Sequence, residues 1–190
     1  MSCCVGLLGA GPTRKRRLGA VLAGGNSSRF GSDKALALLE GKRLIDRAVT
    51  ALEPYCDKVV VVGRNDSAHD CVPDWPQPDC GPLGGIAGAF EAARERGYDE
   101  VLTSGVDSVA LPDNLADTLW PAPAYLEAQP VVGLWPARFS GALDEIMSGN
   151  GKHSMRAFAE QISARPVKLS RNPVNINTAA DLERVERHGL

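Results

Sequence analysis

Short apolar runs recur along the chain, separated by amphipathic or polar stretches, and the alternation predicts strands interleaved with helices. Leu18 to Ala23 is a buried-strand run that ends at Gly24-Gly25, where a loop begins. An amphipathic segment from Leu44 to Leu52 predicts a helix. Lys58 to Val62, four consecutive valines after a lysine, predicts a strand covered on both faces and ended by Gly63. After a Pro- and Asp-rich loop (Pro73 to Pro82), Leu83 to Arg96 reads as a helix and Glu100 to Val106 as a strand stopping at Asp107. Pro112 to Leu119, Ala142 to Met147, Ser154 to Ile162 and Thr178 to Arg187 read as further helices. Pro130 to Trp135 and Pro166 to Leu169 read as strands. Strands alternating with helices at this spacing predict an α/β layer architecture with a mostly parallel sheet and right-handed crossovers.

Composition narrows the picture. With 190 residues, 44% of them apolar, one sizeable core is expected and two independent ones are not. A formal charge of -2 provides no positive field for a nucleic acid, so none is expected as a partner. Membrane attachment is not expected either, because no apolar run approaches the roughly 20 residues that cross a bilayer. The N-terminal apolar stretch is broken by Gly6, Gly9 and Gly11, unlike a secretion signal, so a soluble cytoplasmic protein is expected. Residues 1–16, with Arg14 to Arg17 at their end, read as a tail before a domain over 17–190. Those early glycines are in the wrong order for a dinucleotide fingerprint. The five cysteines show no C-x-x-C pair, which argues against zinc or a disulfide framework.

The segment richest in chemistry follows the first strand directly: Leu22-Ala-Gly-Gly-Asn-Ser-Ser-Arg-Phe-Gly-Ser-Asp-Lys34. In an open α/β sheet, ligands settle at the carboxyl ends of the strands. Gly24 and Gly25 allow backbone N–H groups to approach a phosphate without an intervening Cβ, and Arg29 and Lys34 add fixed positive charge. No G-x-x-x-x-G-K-[ST] occurs, so this is not a P-loop. Asp107, at the end of a strand, suits magnesium, which needs one or two carboxylates beside phosphate oxygens. It suits equally the cap of a following helix.

Leu-Ala-Gly-Gly with Ser28-Arg29-Phe30-Gly31 and Asp33-Lys34 resembles the signature loop of the Rossmann-like nucleotidyltransferases, and within them the molybdenum cofactor guanylyltransferases. Gly81-Pro-Leu-Gly-Gly-Ile86 is similar to the family's segment at the start of a helix beside the nucleotide. Asp107 falls where the family holds its magnesium-binding aspartate, and Asn175-Ile-Asn-Thr-Ala-Ala-Asp-Leu182 is similar to its closing segment. The resemblance runs in order from about Leu18 to the C-terminus. It implies a three-layer α/β/α sandwich and transfer of GMP from GTP to the terminal phosphate of molybdopterin, with Mg²⁺ as the cofactor. Molybdoenzymes or other cofactor-biosynthesis proteins are implied as partners.

By the same resemblance Arg29, Lys34 and Asp107 form the catalytic group. Leu22, Ala23, Gly24, Gly25, Asn65, Gly84, Asn175 and Asn177 join them in binding the nucleotide or the acceptor. Asp79, preferred to Asp74, is placed against guanine, whose N1–H and N2–H₂ an aspartate can accept. Asn65 is equally a turn former, and Asn175 and Asn177 could equally serve Asx turns or the cap of the last helix. Trp135 is the tryptophan to test for stacking on the acceptor. The chain departs from the family in having Gly105 and Val109 where prolines usually flank the aspartate, which leaves that loop less constrained. Three alternatives stay open: a cytidylyltransferase for the same pterin, a sugar-phosphate nucleotidyltransferase, and a catalytically silent nucleotide-binding escort.

Overall fold

The computed structural model describes residues 15–24, 30, 33–78, 80–149 and 154–189. The chain opens with strand β1 (Arg17–Leu22), then a small hairpin of β2 (Leu38–Leu39) and β3 (Lys42–Arg43), helix α1 (Leu44–Leu52), β4 (Lys58–Val62) and β5 (Cys71–Val72). Helix α2 (Gly81–Arg96), β6 (Glu100–Gly105), β7 (Ser108–Val109), α3 (Leu115–Leu119), β8 (Ala124–Leu126) and β9 (Gln129–Pro136) follow. The chain closes with α4 (Ser140–Ser148), α5 (Met155–Gln161), β10 (Arg165–Val167), β11 (Val174–Asn175) and α6 (Ala179–His188). Seven strands make one sheet in the order β10-β8-β9-β6-β1-β4-β5. Its β1–β4, β1–β6, β4–β5 and β8–β10 pairs are parallel, and β9 runs antiparallel to β6 and β8.

The valines of β4 show how the sheet is covered. Val60 and Val62 face a core with Leu83, Ile86 and Phe90 of α2, while Val61 faces another with Leu44, Ile45 and Leu52 of α1. Both faces are therefore buried, which is why the run lacks polar alternation. On α1 the buried residues Leu44, Ile45, Ala48, Val49 and Leu52 recur at helical spacing, forming one apolar stripe. Helix α2 begins at Gly81, two residues before the expected start, because Pro82 fits the first turn, where no N–H is required of it. Thr178 is the N-cap of α6 and forms a capping box with Asp181. The Asn177 N–H, with the hydroxyl and N–H of Thr178, donates to the Asp181 carboxylate and holds it below its ordinary range.

Trp135 corrects the expectation of acceptor stacking. It is fully buried on the α2 side of the sheet, stacked on Tyr125 and packed on Phe158, and its Nε1 donates to Thr103 Oγ1 at 2.8 Å. Gly133 is what admits it, since a Cβ there would lie 2.2 Å from the indole. Burial pushes the Cys56 thiol up to about 12, so that sulfur stays protonated and inert. Among the described residues no helix is long and apolar enough to cross a membrane.

Candidate active site

The carboxyl ends of β1, β4 and β6 meet at one rim of the sheet. Ala23 N–H donates to Val62 O at 3.0 Å, and Val106 N–H donates to Leu22 O at 3.0 Å, so the three strands stay in register to their last residues. Above this rim opens a cleft of about 440 Å³. One side is formed by Gly24, Asp74 and the start of α2 at Gly81, Pro82 and Gly85; the other by Ser108, Ala128 to Val131 and Asn175. Leu22, Gly105 and Asp107 lie between them.

Glycine shapes the first side. Gly63 ends β4 at φ +83°, and a Cβ there would lie 2.6 Å from Asp74 Oδ1 and 2.8 Å from Gly24 Cα. Gly24 and Gly63 thus pass backbone against backbone, leaving a seat for the Asp74 carboxylate beside the N-terminal turn of α2. The sequence reading placed Asp79 ahead of Asp74. Asp74 lines the cleft; Asp79, like Gly25 and Arg29, lies outside the described residues.

Lys34 Nζ donates to Asp107 Oδ2 at 2.8 Å, with the two side chains only 15% and 23% exposed. The expected cation therefore sits against the expected metal ligand, and Asp107 lines the cleft. Two local devices hold them. Asp33 caps the 3₁₀ turn that begins at Lys34 by accepting from Ala35 N–H, and Arg64 clasps the Asp33 carboxylate with two bonds of 2.9 and 2.7 Å. That clasp holds Asp33 below the ordinary carboxylate range and ties the loop carrying Lys34 to the exit of β4. At the other partner, a Cβ on Gly105 would lie 2.5 Å from Asp107 Oδ1, so the carboxylate folds back over a position that only glycine leaves open. The departure at Gly105 is thus a packing requirement of the carboxylate's position in this chain.

The closing segment reaches the same place through a second ladder. β11 pairs antiparallel with β7, setting Asn175 opposite Ser108, and Ile176 N–H donates to Asp107 O at 3.0 Å. Asn175 lines the cleft. Asn177 does not, and its backbone N–H donates to Asp181. Gly84 lies one residue off the lining, with its carbonyl accepting from Trp75 N–H, and Gly85 is the lining glycine. Asn65 is exposed beside Arg64, outside the cleft lining. Ser108, Gln129 and Arg64 had no signal in the sequence: a lone Ser after an Asp, a Gln before a strand and an Arg in a turn are ordinary surface patterns.

Among the described residues no three His, Cys, Asp or Glu side chains gather as a metal cage. A hard carboxylate oxygen opening on the cleft nonetheless fits a cation that draws its remaining ligands from phosphate and water, as magnesium does.

The chain and its fold have counterparts among known proteins. Residues 19–167 match the family described as the MobA-like NTP transferase domain. The chain belongs to this family. It is 31% identical over 191 residues to the molybdenum cofactor guanylyltransferase of Acidiphilium cryptum, covering 93% of this chain and 97% of that protein. It is 33% identical to the molybdenum cofactor guanylyltransferase of Rhizobium leguminosarum bv. trifolii, over 92% of this chain and 93% of that one. The fold superposes on molybdopterin-guanine dinucleotide biosynthesis protein A from Archaeoglobus fulgidus with a TM-score of 0.70 at 19% identity, covering 90% and 97% of the two chains. The α/β sandwich with a mostly parallel sheet is thus the architecture of Rossmann-like nucleotidyltransferases, as the sequence pattern led us to expect.

Proposed function

We propose that the chain transfers GMP from GTP to the terminal phosphate of molybdopterin, releasing pyrophosphate and forming the guanine dinucleotide of the cofactor. The observation that carries this reading is the pairing of Lys34 with Asp107, a residue of the cleft at the ends of β1 and β6, in a chain whose relatives bear the guanylyltransferase name. An oxygen of the acceptor phosphate forms a bond to the α-phosphorus while the α–β bridging P–O bond breaks, and its electron pair leaves with pyrophosphate. No Ser or Cys nucleophile is needed, because the acceptor oxygen is already anionic. The protein's task is alignment and compensation of charge.

Lys34, held at the cleft by the capped 3₁₀ turn, exchanges its carboxylate partner for triphosphate oxygens and offsets the charge building on the leaving group. Asp107 would hold a magnesium ion, which supplies further charge compensation on the phosphate oxygens when bound. Gly24 offers open backbone to the triphosphate, with Gly25 and Arg29 of the same loop assigned to that role as well. Asp74, which lines the cleft beside α2, would accept from the guanine edge, a role for which Asp79 also stays open. Asn175 supports the acceptor side. Molybdoenzymes or other cofactor-biosynthesis proteins would take the product onward.

The test is a screen of the four nucleoside triphosphates for magnesium-dependent pyrophosphate release with molybdopterin. GTP alone should support turnover. A preference for CTP would move the chain to cytidylyl transfer, turnover with a sugar phosphate in place of the pterin would reassign the acceptor, and nucleotide binding without turnover would make it an escort.

A further inference from the structure

Buried polar groups in folded proteins are almost always paired, since burying one without a partner forfeits its hydration with nothing in return. Glu100, only 1% exposed beneath the far end of the sheet, follows the rule, with Lys15 and Arg17 both on its carboxylate. Three side-chain atoms break it among the described residues: Arg64 Nε, Ser108 Oγ and Gln129 Oε1. The last two belong to residues 4% and 8% exposed, and both residues line the same side of the cleft.

The orientation of the Gln129 amide is fixed by a neighbour. Gln129 opens β9 at the tip of the β8–β9 hairpin, and its Nε2 donates to Pro173 O at 2.8 Å, tying the hairpin to the strand that carries Asn175. A carbonyl can only accept, so the amide nitrogen must face Pro173 and the oxygen is left for another donor. Ser108 follows Asp107, and the Ser108 hydroxyl and the Asp107 carboxylate flank one spot over Gly105, at 3.5 and 2.5 Å from where a Cβ would stand. Pro130 and Val131 add an apolar stretch of lining next to Gln129.

We propose that Gln129 and Ser108 are the residues that select the acceptor. Gln129 Oε1 accepts an N–H from the pterin ring as it lies along Pro130 and Val131, and Ser108 Oγ–H donates to an oxygen of the acceptor's terminal phosphate. The pair rests on the guanylyl-transfer reading and deepens it. With its nitrogen engaged by Pro173, Gln129 presents acceptance alone, which suits the N–H edge of a pterin; a phosphate at that end would meet only an oxygen lone pair. The Ser108 hydroxyl lies next to the Asp107 carboxylate over Gly105, where a donor to an anionic oxygen is useful.

The experiment compares the full chain with Ser108→Ala, Gln129→Met and Gln129→Glu. It reads KM and kcat for GTP and molybdopterin, molybdopterin binding by pterin fluorescence, GTP binding by calorimetry, and melting temperature. Ser108→Ala and Gln129→Met should each raise the KM and Kd for molybdopterin about tenfold, the loss of one hydrogen bond to a buried polar group, and leave GTP binding within about twofold. Ser108→Ala should melt no lower than the parent, because it deletes an unpaired hydroxyl. Gln129→Glu keeps an oxygen for the ring and loses the donor to Pro173. It should recover most of the molybdopterin affinity, whereas a purely structural amide would leave Glu as impaired as Met. Unchanged molybdopterin affinity, or GTP and molybdopterin affinities falling together, overturns the proposal. Absence of turnover in the parent chain would count against guanylyl transfer itself, and the fluorescence titration would still decide whether these two side chains hold the pterin.

Discussion

The two sides of the cleft are built from different materials. Under β1, β4 and α2 the wall is backbone: Gly24 passes Gly63, Gly85 opens the first turns of α2, and the charged groups nearby, Asp33 with Arg64 and Lys34 with Asp107, are paired. Under β7, β9 and β11 the wall is side chain: the amide oxygen of Gln129 and the hydroxyl of Ser108 are buried and, among the described residues, left without partners, next to Pro130 and Val131. A triphosphate is recognised well by main-chain N–H groups and fixed cations, which are the same for every nucleotide. A heterocyclic acceptor must be told apart by its own donors and acceptors, and only side chains supply that variety.

The largest break in this contrast should come from Lys34, on the glycine side. Lys34→Ala removes the cation and leaves the Asp107 carboxylate without its 2.8 Å partner. Pyrophosphate release should fall by about 10²–10³-fold, as it does when a single donor to developing charge is removed. Because the loss concerns the leaving group, kcat should fall more than the KM for molybdopterin, and steady-state kinetics with each substrate varied in turn will show the split. A KM effect confined to molybdopterin would put Lys34 on the acceptor and erase the division between the two sides.

Putting the same methyl group on each side sharpens the comparison. Gly63→Ala meets backbone, with Gly24 Cα 2.8 Å away, at a residue whose φ of +83° disfavours any Cβ. It should cost about 2 kcal/mol or more, lowering the melting temperature by roughly 4–8 °C in a domain of this size, and GTP binding should weaken with it. Gly105→Ala meets the mobile end of one side chain, Asp107 Oδ1 at 2.5 Å, and its φ carries no such penalty. The carboxylate can swing aside, so the melting temperature should move by less than about 2 °C. Activity should nevertheless drop about tenfold, because Asp107 loses its position against Lys34. Calorimetry and turnover on the two variants test the distinction, and equal stability losses would sink it.

That difference in material explains how much the sequence disclosed. Lys34, in the segment that follows β1, and Asp107, just after β6, were both legible in the sequence, and the two do meet. The apolar run of β4 and the periodic stripe of α1 were legible because each is local. Strands of two or three residues, β5, β7, β8 and β11, exist only through their pairing with distant partners and carry no periodicity of their own. Ser108 and Gln129 stand on or beside such strands. Neither residue type is unusual there, and their burial follows from tertiary pairing that no local pattern encodes. Trp135 misled for the same reason: its burial depends on Gly133 and on Tyr125 across the hairpin.

The smallest expected effect concerns the clasp that fixes the glycine side. Arg64 donates two hydrogen bonds to Asp33, and these hold the Asp33 carboxyl below its ordinary value near 3.9. A depressed carboxyl contributes stability that is fully present above its unfolded value and is lost as pH falls through the folded one. The window therefore lies below about pH 4. Asp33 is 47% exposed, so solvent and salt reduce the contribution to about 1 kcal/mol or less. Asp33→Asn should thus destabilise the chain slightly at pH 7, and denaturant melts of the two proteins should converge as pH drops below 4. GTP binding at pH 7 should weaken by about two- to threefold, since the loop carrying Lys34 is then tied to β4 by a weaker bond, and molybdopterin binding should not change. A gap between the melts that persists at pH 3, or a variant that loses acceptor binding instead, would show that the clasp does not belong to the glycine side.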